Sequence, residues 1–236
     1  MLSWTSRWWE LLILVAGLAV LAWALAKPKW LTASPERLNQ FRTGYLLFTL
    51  FFIGWYAQGQ LSIVNFTAVV QSLLAQRSLA VFLYDPMTVL LWLFVAVTFF
   101  VWGRGTFCGW LCPFGALQEL ISKVTAALRI KQLRVSTNVD KQLKRVKYVV
   151  LAVILISACI SVTWTDRLVE VEPFKTSITL NFVRAWPFVL WAVATVLLSS
   201  FVYKGYCRYL CPLGAGMGLL GRLRRFDWIA RRSECG

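Results

Sequence analysis

Cys108-Gly109-Trp110-Leu111-Cys112-Pro113-Phe114-Gly115-Ala116 decides the reading of this chain, because it returns as Cys207-Arg208-Tyr209-Leu210-Cys211-Pro212-Leu213-Gly214-Ala215. With Phe107 and Tyr206 in front, both copies read aromatic-Cys-x-aromatic-Leu-Cys-Pro-x-Gly-Ala. Four of the six cysteines lie in these two boxes. Each box follows a long apolar run and precedes a basic amphipathic run.

Working outward, the composition explains what surrounds the boxes. Of 236 residues 59% are hydrophobic, 13 are Trp, and the net charge is +15. Soluble domains rarely combine so much apolar residue with so much positive charge, whereas membrane proteins with basic loops do. The first apolar run is too long for a signal-peptide core and is followed by no small-residue cleavage pattern. The chain has no histidine, which excludes His-ligated haem, copper and most catalytic zinc sites. Thiolate is the one plentiful soft ligand.

The fold class expected is all-α, a polytopic membrane helix bundle with about five spans plus interfacial amphipathic helices. The runs are Trp8 to Ala26, Tyr45 to Ala57, Met87 to Trp102, Tyr148 to Trp164 and Ala185 to Tyr203. A span needs about 20 apolar residues, so the second and third runs are short and rely on local thinning or flanking aromatics. Trp and Tyr gather at run ends, as in an aromatic belt. Lys and Arg crowd the segment between runs three and four and the segment after run five, whereas the segments between runs two and three and between four and five carry only Arg77, Arg167, Lys175 and Arg184. The positive-inside rule then puts the N-terminus outside, and the boxes and the C-terminus in the cytoplasm. Leu61 to Tyr84, interrupted by Asn65, Gln71, Gln76 and Arg77, reads as an external interfacial helix.

Asp85-Pro86 opens run three and Glu172-Pro173 precedes run five, so an acid-Pro, span, box, amphipathic helix unit occurs twice. The chain is thus expected to be a single transmembrane domain, residues 1–236, with loose parallel half-repeats at 85–129 and 172–232. Pro113 and Pro212 suit the first position of a helix. After them Phe114, Leu117, Leu120, Ile121, Val124 and Leu128, and likewise Leu213, Met217, Leu220, Leu223, Phe226 and Ile229, recur at helical spacing. Two readings of these helices stand side by side: lying in the cytoplasmic interface, held partly by anionic lipid, or packed on neighbouring protein.

Each box sets its second Cys at a helix start, where free N–H groups and the dipole favour thiolate. Arg104, Lys204 and Arg208 act in the same direction. Cys108, Cys112, Cys207 and Cys211 can supply the four thiolates of an iron–sulfur cluster or a structural metal site. Redox metal or cluster ligation competes with thiols that assist a neighbouring ferredoxin module, a zinc clip, and inert cysteines or a disulfide. A cytoplasmic disulfide is disfavoured by compartment. Cys159, mid-run, reads as a small core hydrophobe. Cys235 is the penultimate residue.

Cys108 to Glu119 and Cys207 to Ala215 resemble the paired boxes of the NosR/NirI family and, more distantly, of NapH-type quinol dehydrogenases. Val171-Glu172-Pro173-Phe174-Lys175-Thr176 and Tyr56-Ala57-Gln58-Gly59-Gln60-Leu61-Ser62 fit the former. The likeness runs from Phe41, and less surely from Thr5, to Gly236. It implies a multi-pass protein of the bacterial cytoplasmic membrane that passes electrons from quinol toward a periplasmic reductase, such as the nitrous oxide reductase system of denitrification. It also implies 4Fe-4S clusters, with Cys235 as the first residue of a further cluster motif. The family's external FMN-binding domain and cytoplasmic ferredoxin domain are absent from this sequence, which reads as a truncated member. The expected partners are membrane lipid, the quinone pool and the periplasmic reductase or its electron donors, with no nucleic acid. Asp85, Glu170 and Glu172 are candidate proton acceptors near the outer face. The alternative is a non-redox membrane scaffold or regulator with structural cysteines. A transporter fits poorly, since no charge sits mid-run.

Overall fold

The computed structural model describes residues 7–59, 62–74, 85–102, 105–133 and 135–221. Cys235, Arg104, the stretch 75–84, and Leu223, Phe226 and Ile229 lie outside them. The described residues form helices and no strand. In order these are α1 (Trp8–Ala26), α2 (Pro28–Leu31), α3 (Pro35–Phe48), α4 (Ile63–Leu74), α5 (Pro86–Val101), α6 (Pro113–Ala127), α7 (Thr137–Ile160), α8 (Val162–Val169), α9 (Trp186–Phe201), α10 (Gly205–Tyr209) and α11 (Pro212–Leu220). Three wide π-type segments, Thr49–Tyr56, Phe107–Leu111 and Lys175–Thr179, complete the order.

The helix starts are legible locally. Asp85 caps α5, accepting from the N–H groups of Met87 and Thr88 and from the Thr88 hydroxyl at 2.6 Å. Proline stands in the first turn of α2, α3, α5, α6, α9 and α11, where its missing N–H costs nothing.

The all-helical expectation holds. Among the described residues only α1, at 19 residues, is long and apolar enough to cross a bilayer by length and composition; α5 and α9 are shorter apolar helices. The run expected from Tyr45 to Ala57 begins as the end of α3 and continues as the wide helix to Tyr56. The run from Tyr148 is the second half of α7, whose first half is polar, and it breaks at the extended residue Ser161. Of the segment 61–84, the described part is helical as α4 and packs on α7 and α8.

Three findings bear on the remaining expectations. First, of the two readings of the helix after the first box, α6 follows packing on neighbouring protein, with part of its polar face turned inward. Gln118, Glu119, Ser122 and Thr125 are buried, while Val124 and Leu128 are exposed. The polar face points into the bundle because it finds partners there: Ser122 Oγ lies 2.9 Å from the carbonyls of both Gln118 and Ser199, and Glu119 is paired with cations. Second, Cys159 is exposed. The buried stripe of α7 runs Leu151, Ile154, Ser157 and Ala158, and one further residue turns the side chain about 100° away. Third, the two acid-Pro pairs are placed differently. Asp85 caps a helix, but α9 starts from Ala185, and Glu172 is buried ahead of the wide turn Lys175–Thr179.

One core joins both halves. It holds Leu14, Leu18, Leu21, Ile53, Met87, Leu91, Phe107, Leu111, Phe114, Phe174, Tyr206 and Leu213, together with Cys112 and Cys211. Helix α6 lies against α3, Thr49–Tyr56 and α9, and α11 lies against α7.

Candidate electron-transfer centre

The two boxes fold alike. Cys112 (φ −77°, ψ 112°) caps α6, and Cys211 (φ −63°, ψ 111°) caps α11. An extended residue before proline is what the ring sterics require. In each box the glycine three residues on donates its N–H to the sulfur, Gly115 to Cys112 Sγ at 3.3 Å and Gly214 to Cys211 Sγ at 3.2 Å. A Cβ added at either glycine would meet that sulfur at 3.5 Å, an ordinary contact; the tighter neighbour at Gly115 is the Cys108 carbonyl, at 3.3 Å.

The boxes meet although 99 positions separate them (211 − 112). Cys112 and Cys211 share the core, and Cys207 packs against it. Phe114 of the first box stands edge-on to Tyr206 of the second, with centroids 5.4 Å apart. All four thiols feel one another. Burial first, then the charges of Cys207 and Cys108, raises the Cys112 thiol; burial first, then Cys207, Glu172, Cys108 and Cys112, raises Cys211; burial, then Cys108, pushes Cys207 up to about 12. The helix-start effect expected from the sequence is present as the N–H···Sγ bonds, but burial outweighs it. Arg208 turns instead to Asp140, at 2.7 Å. Buried thiols that repel one another as anions need a cation among them to ionise.

Among the described residues no three Cys, Asp or Glu side chains close around one point as they would for a single ion. An iron–sulfur cluster is larger than an ion and holds its thiolates farther apart. Cys112 and Cys211, buried and with N–H groups aimed at their sulfurs, beside the half-buried Cys207 and the exposed Cys108, fit such a group. No disulfide joins the described cysteines.

Polar contacts fix the boxes in place. Thr49 Oγ1 donates to the Trp110 carbonyl at 2.8 Å, and Arg42 lies over the Trp110 ring, 5.1 Å from its centroid. Arg42 also pairs with Glu119 through Nε and, at 2.8 Å, through Nη2. Lys204 Nζ is 2.7 Å from the other side of that carboxylate. Burial alone would raise the Glu119 carboxyl, yet Arg42 and Lys204 hold it at about 2. Breaking such a buried pair on one side costs on the order of 3–5 kcal/mol. Tyr209 and Lys144 join Arg208 on Asp140, tying the second box to α7. Sequence reasoning missed Arg42, Glu119 and Asp140. The signal available was an acid inside the apolar repeat after the first box.

Val171–Thr179, expected in an outer loop facing away from the boxes, folds onto them. Phe174 stacks obliquely on Phe114 at 5.2 Å, and the Tyr206 hydroxyl reaches the Val171 carbonyl at 3.4 Å. Gly54 is the reason this fits: a Cβ there would come 2.9 Å from Pro113 and 3.3 Å from Ile178.

The candidate proton acceptors part company. Asp85 is a helix cap near Arg7, and Glu170 is held by Arg184 at 2.7 Å and by Lys175. Glu172 is 3% exposed, accepts from the Ile63 N–H at 3.3 Å, and leaves Oε1 without a partner. Burial raises its carboxyl to about 7. It lines a pocket of about 290 Å³ with Ser62, Asp166, Phe174 and Lys175.

Residues 84–132 and 184–231, each holding one box, match the family described as "4Fe-4S binding domain". The chain is 45% identical to the regulatory protein NosR of Stutzerimonas stutzeri and 41% identical to the protein NirI of Paracoccus denitrificans, over 99% of its own length in both cases. It spans 32% and 34% of those proteins, about one third of their length. It is 26% identical to the ferredoxin-type protein NapH of Haemophilus influenzae, over 58% of the chain and 45% of that protein. No solved structure matches.

Proposed function

We propose that this chain, a NosR/NirI-family sequence by its likeness along 99% of its length, is a membrane electron-transfer module of denitrification. Cys108, Cys112, Cys207 and Cys211 hold an iron–sulfur cluster of the 4Fe-4S type, which supplies one-electron carriage when bound. The protein's share is to desolvate the thiolates, aim the Gly115 and Gly214 N–H groups at two of them, and set cations alongside. The observation that carries the reading is the convergence of Cys112 and Cys211, in matched cap geometry, in one core.

The module sits in the bacterial cytoplasmic membrane as a bundle of about five spans, with α1 as its best-supported crossing. Its N-terminus faces the periplasm and its Lys- and Arg-rich segments face the cytoplasm. The boxes lie within the bundle, reached from the cytoplasmic side. Electrons come from the quinone pool and leave toward a periplasmic reductase such as the nitrous oxide reductase system. Glu172, buried beside the boxes with a free acceptor oxygen, is the better of the three candidate proton acceptors. Cys235, by the family resemblance, is the first residue of a further cluster motif.

The test is anaerobic purification of the full chain, with iron and sulfide analysis and EPR. Iron and sulfide near four atoms each, lost on Cys112→Ser and on Cys211→Ser, are expected for a 4Fe-4S group. A folded chain without iron, indifferent to both substitutions, would sink the reading. The regulatory word in the name of NosR keeps a scaffold reading alive. It requires that serine at all four positions alter reporter expression while leaving respiratory electron flow intact.

A further inference from the structure

Glu119 is 2% exposed, yet it meets two cations from different parts of the chain. Arg42 comes from α3 and also reaches the Gly109 carbonyl inside the first box, Nη2 to O 3.4 Å. Lys204 stands three residues before Cys207, and its backbone is left-handed at φ 50°, ψ 42°. A non-glycine residue in that region is strained by about 1 kcal/mol or more, so its side-chain pairing has a structural counterpart in a costly backbone. The Lys204 charge acts on Cys112 of one box and on Cys207 of the other. The triad carries one negative and two positive charges, leaving a net cation beside the thiols.

We propose that Arg42, Glu119 and Lys204 form a charge clamp that holds the two boxes face to face and sets Lys204 against their thiolates, raising the reduction potential of the group bound there. It rests on the electron-transfer reading above. Reduction adds a negative charge to a thiolate-ligated centre, and a fixed cation in a low-dielectric interior favours that state. Glu119 acts by positioning: it is the buried anion that holds a half-buried lysine and a half-buried arginine together.

The experiment is a redox titration of the anaerobically purified full chain, followed by EPR, with iron content measured on the same samples. Lys204→Met keeps the apolar stem and removes the charge. The expected result is wild-type iron with a lower midpoint, the reduced-to-oxidised ratio at fixed poise falling tenfold or more, which is about 59 mV or more for a one-electron couple. Lys204→Arg restores the midpoint. Should Lys204→Met unfold the chain, the double variant Glu119→Gln/Lys204→Met, which strands no lone carboxylate, takes its place. An unchanged midpoint with full iron overturns the proposal while the electron-transfer reading survives. If the wild-type chain binds no iron, that reading fails by itself, and the clamp is judged on cross-linking. In a variant keeping only Cys112 and Cys207, the two thiols are expected to bridge with a short bis-maleimide, and Glu119→Gln to slow bridging severalfold. Equal rates overturn the clamp.

Discussion

Glu172 makes the stability of this protein depend on pH in an unusual direction. Its carboxyl is raised by burial from 4.5 to about 7, against the lowering effects of the Ile63 N–H and the Ser62 hydroxyl. A raised acid is bound by its proton more tightly in the folded state than in the unfolded one. Its contribution is therefore fully present below pH 4.5 and is lost as pH climbs through 7. At about 1.4 kcal/mol per pH step, the span from 4.5 to about 7 is worth roughly 3 kcal/mol. Glu119, held low at about 2, has the opposite sign but acts only below pH 4.5, and the lowered Glu170 is confined to the same acid range. The window from pH 5 to 7 thus isolates Glu172. Thermal or denaturant unfolding of the detergent-solubilised chain should show stability falling across it and levelling above it. Glu172→Gln, which stays neutral, should flatten the slope and make the chain more stable than wild type at pH 8 by up to roughly 3 kcal/mol. Stability that rises from pH 5 to 7, or a slope that survives the substitution, refutes the reasoning.

Gly54→Val should destabilise by roughly 1–3 kcal/mol, because its side chain would enter the space held by Pro113 and Ile178; a denaturant midpoint reads this. The same variant should bind less iron, since the wedge lies at the first turn after Cys112. Asp85→Ala removes the acceptor for two α5 N–H groups and should cost about 1 kcal/mol, with no change in iron content. Cys159→Ser, on the exposed side of α7, should leave iron and stability unchanged within about 0.5 kcal/mol.

Local chemistry determined a good deal from the sequence alone. Cys-Pro at a helix start, with Gly two residues past the proline, dictates an extended Cys and an N–H reaching its sulfur, and both boxes obey. Apolar runs and prolines foretold the helices α1, α5 and α9. The lack of histidine narrows the soft ligands to thiolate. What the tertiary structure decided was which surfaces meet. Helical periodicity shows a stripe of apolar residues but not which stripe faces the rest of the protein. Val124 and Leu128 could therefore turn outward while Glu119 and Ser122 turned in. A buried acid is tolerated only where cations arrive from distant positions, here 77 residues before it and 85 after (119 − 42 and 204 − 119). No local rule encodes that meeting. The same holds for Glu172: adjacent to a proline like Asp85, it became a buried acid because Val171–Thr179 packs on the boxes through the gap that Gly54 leaves.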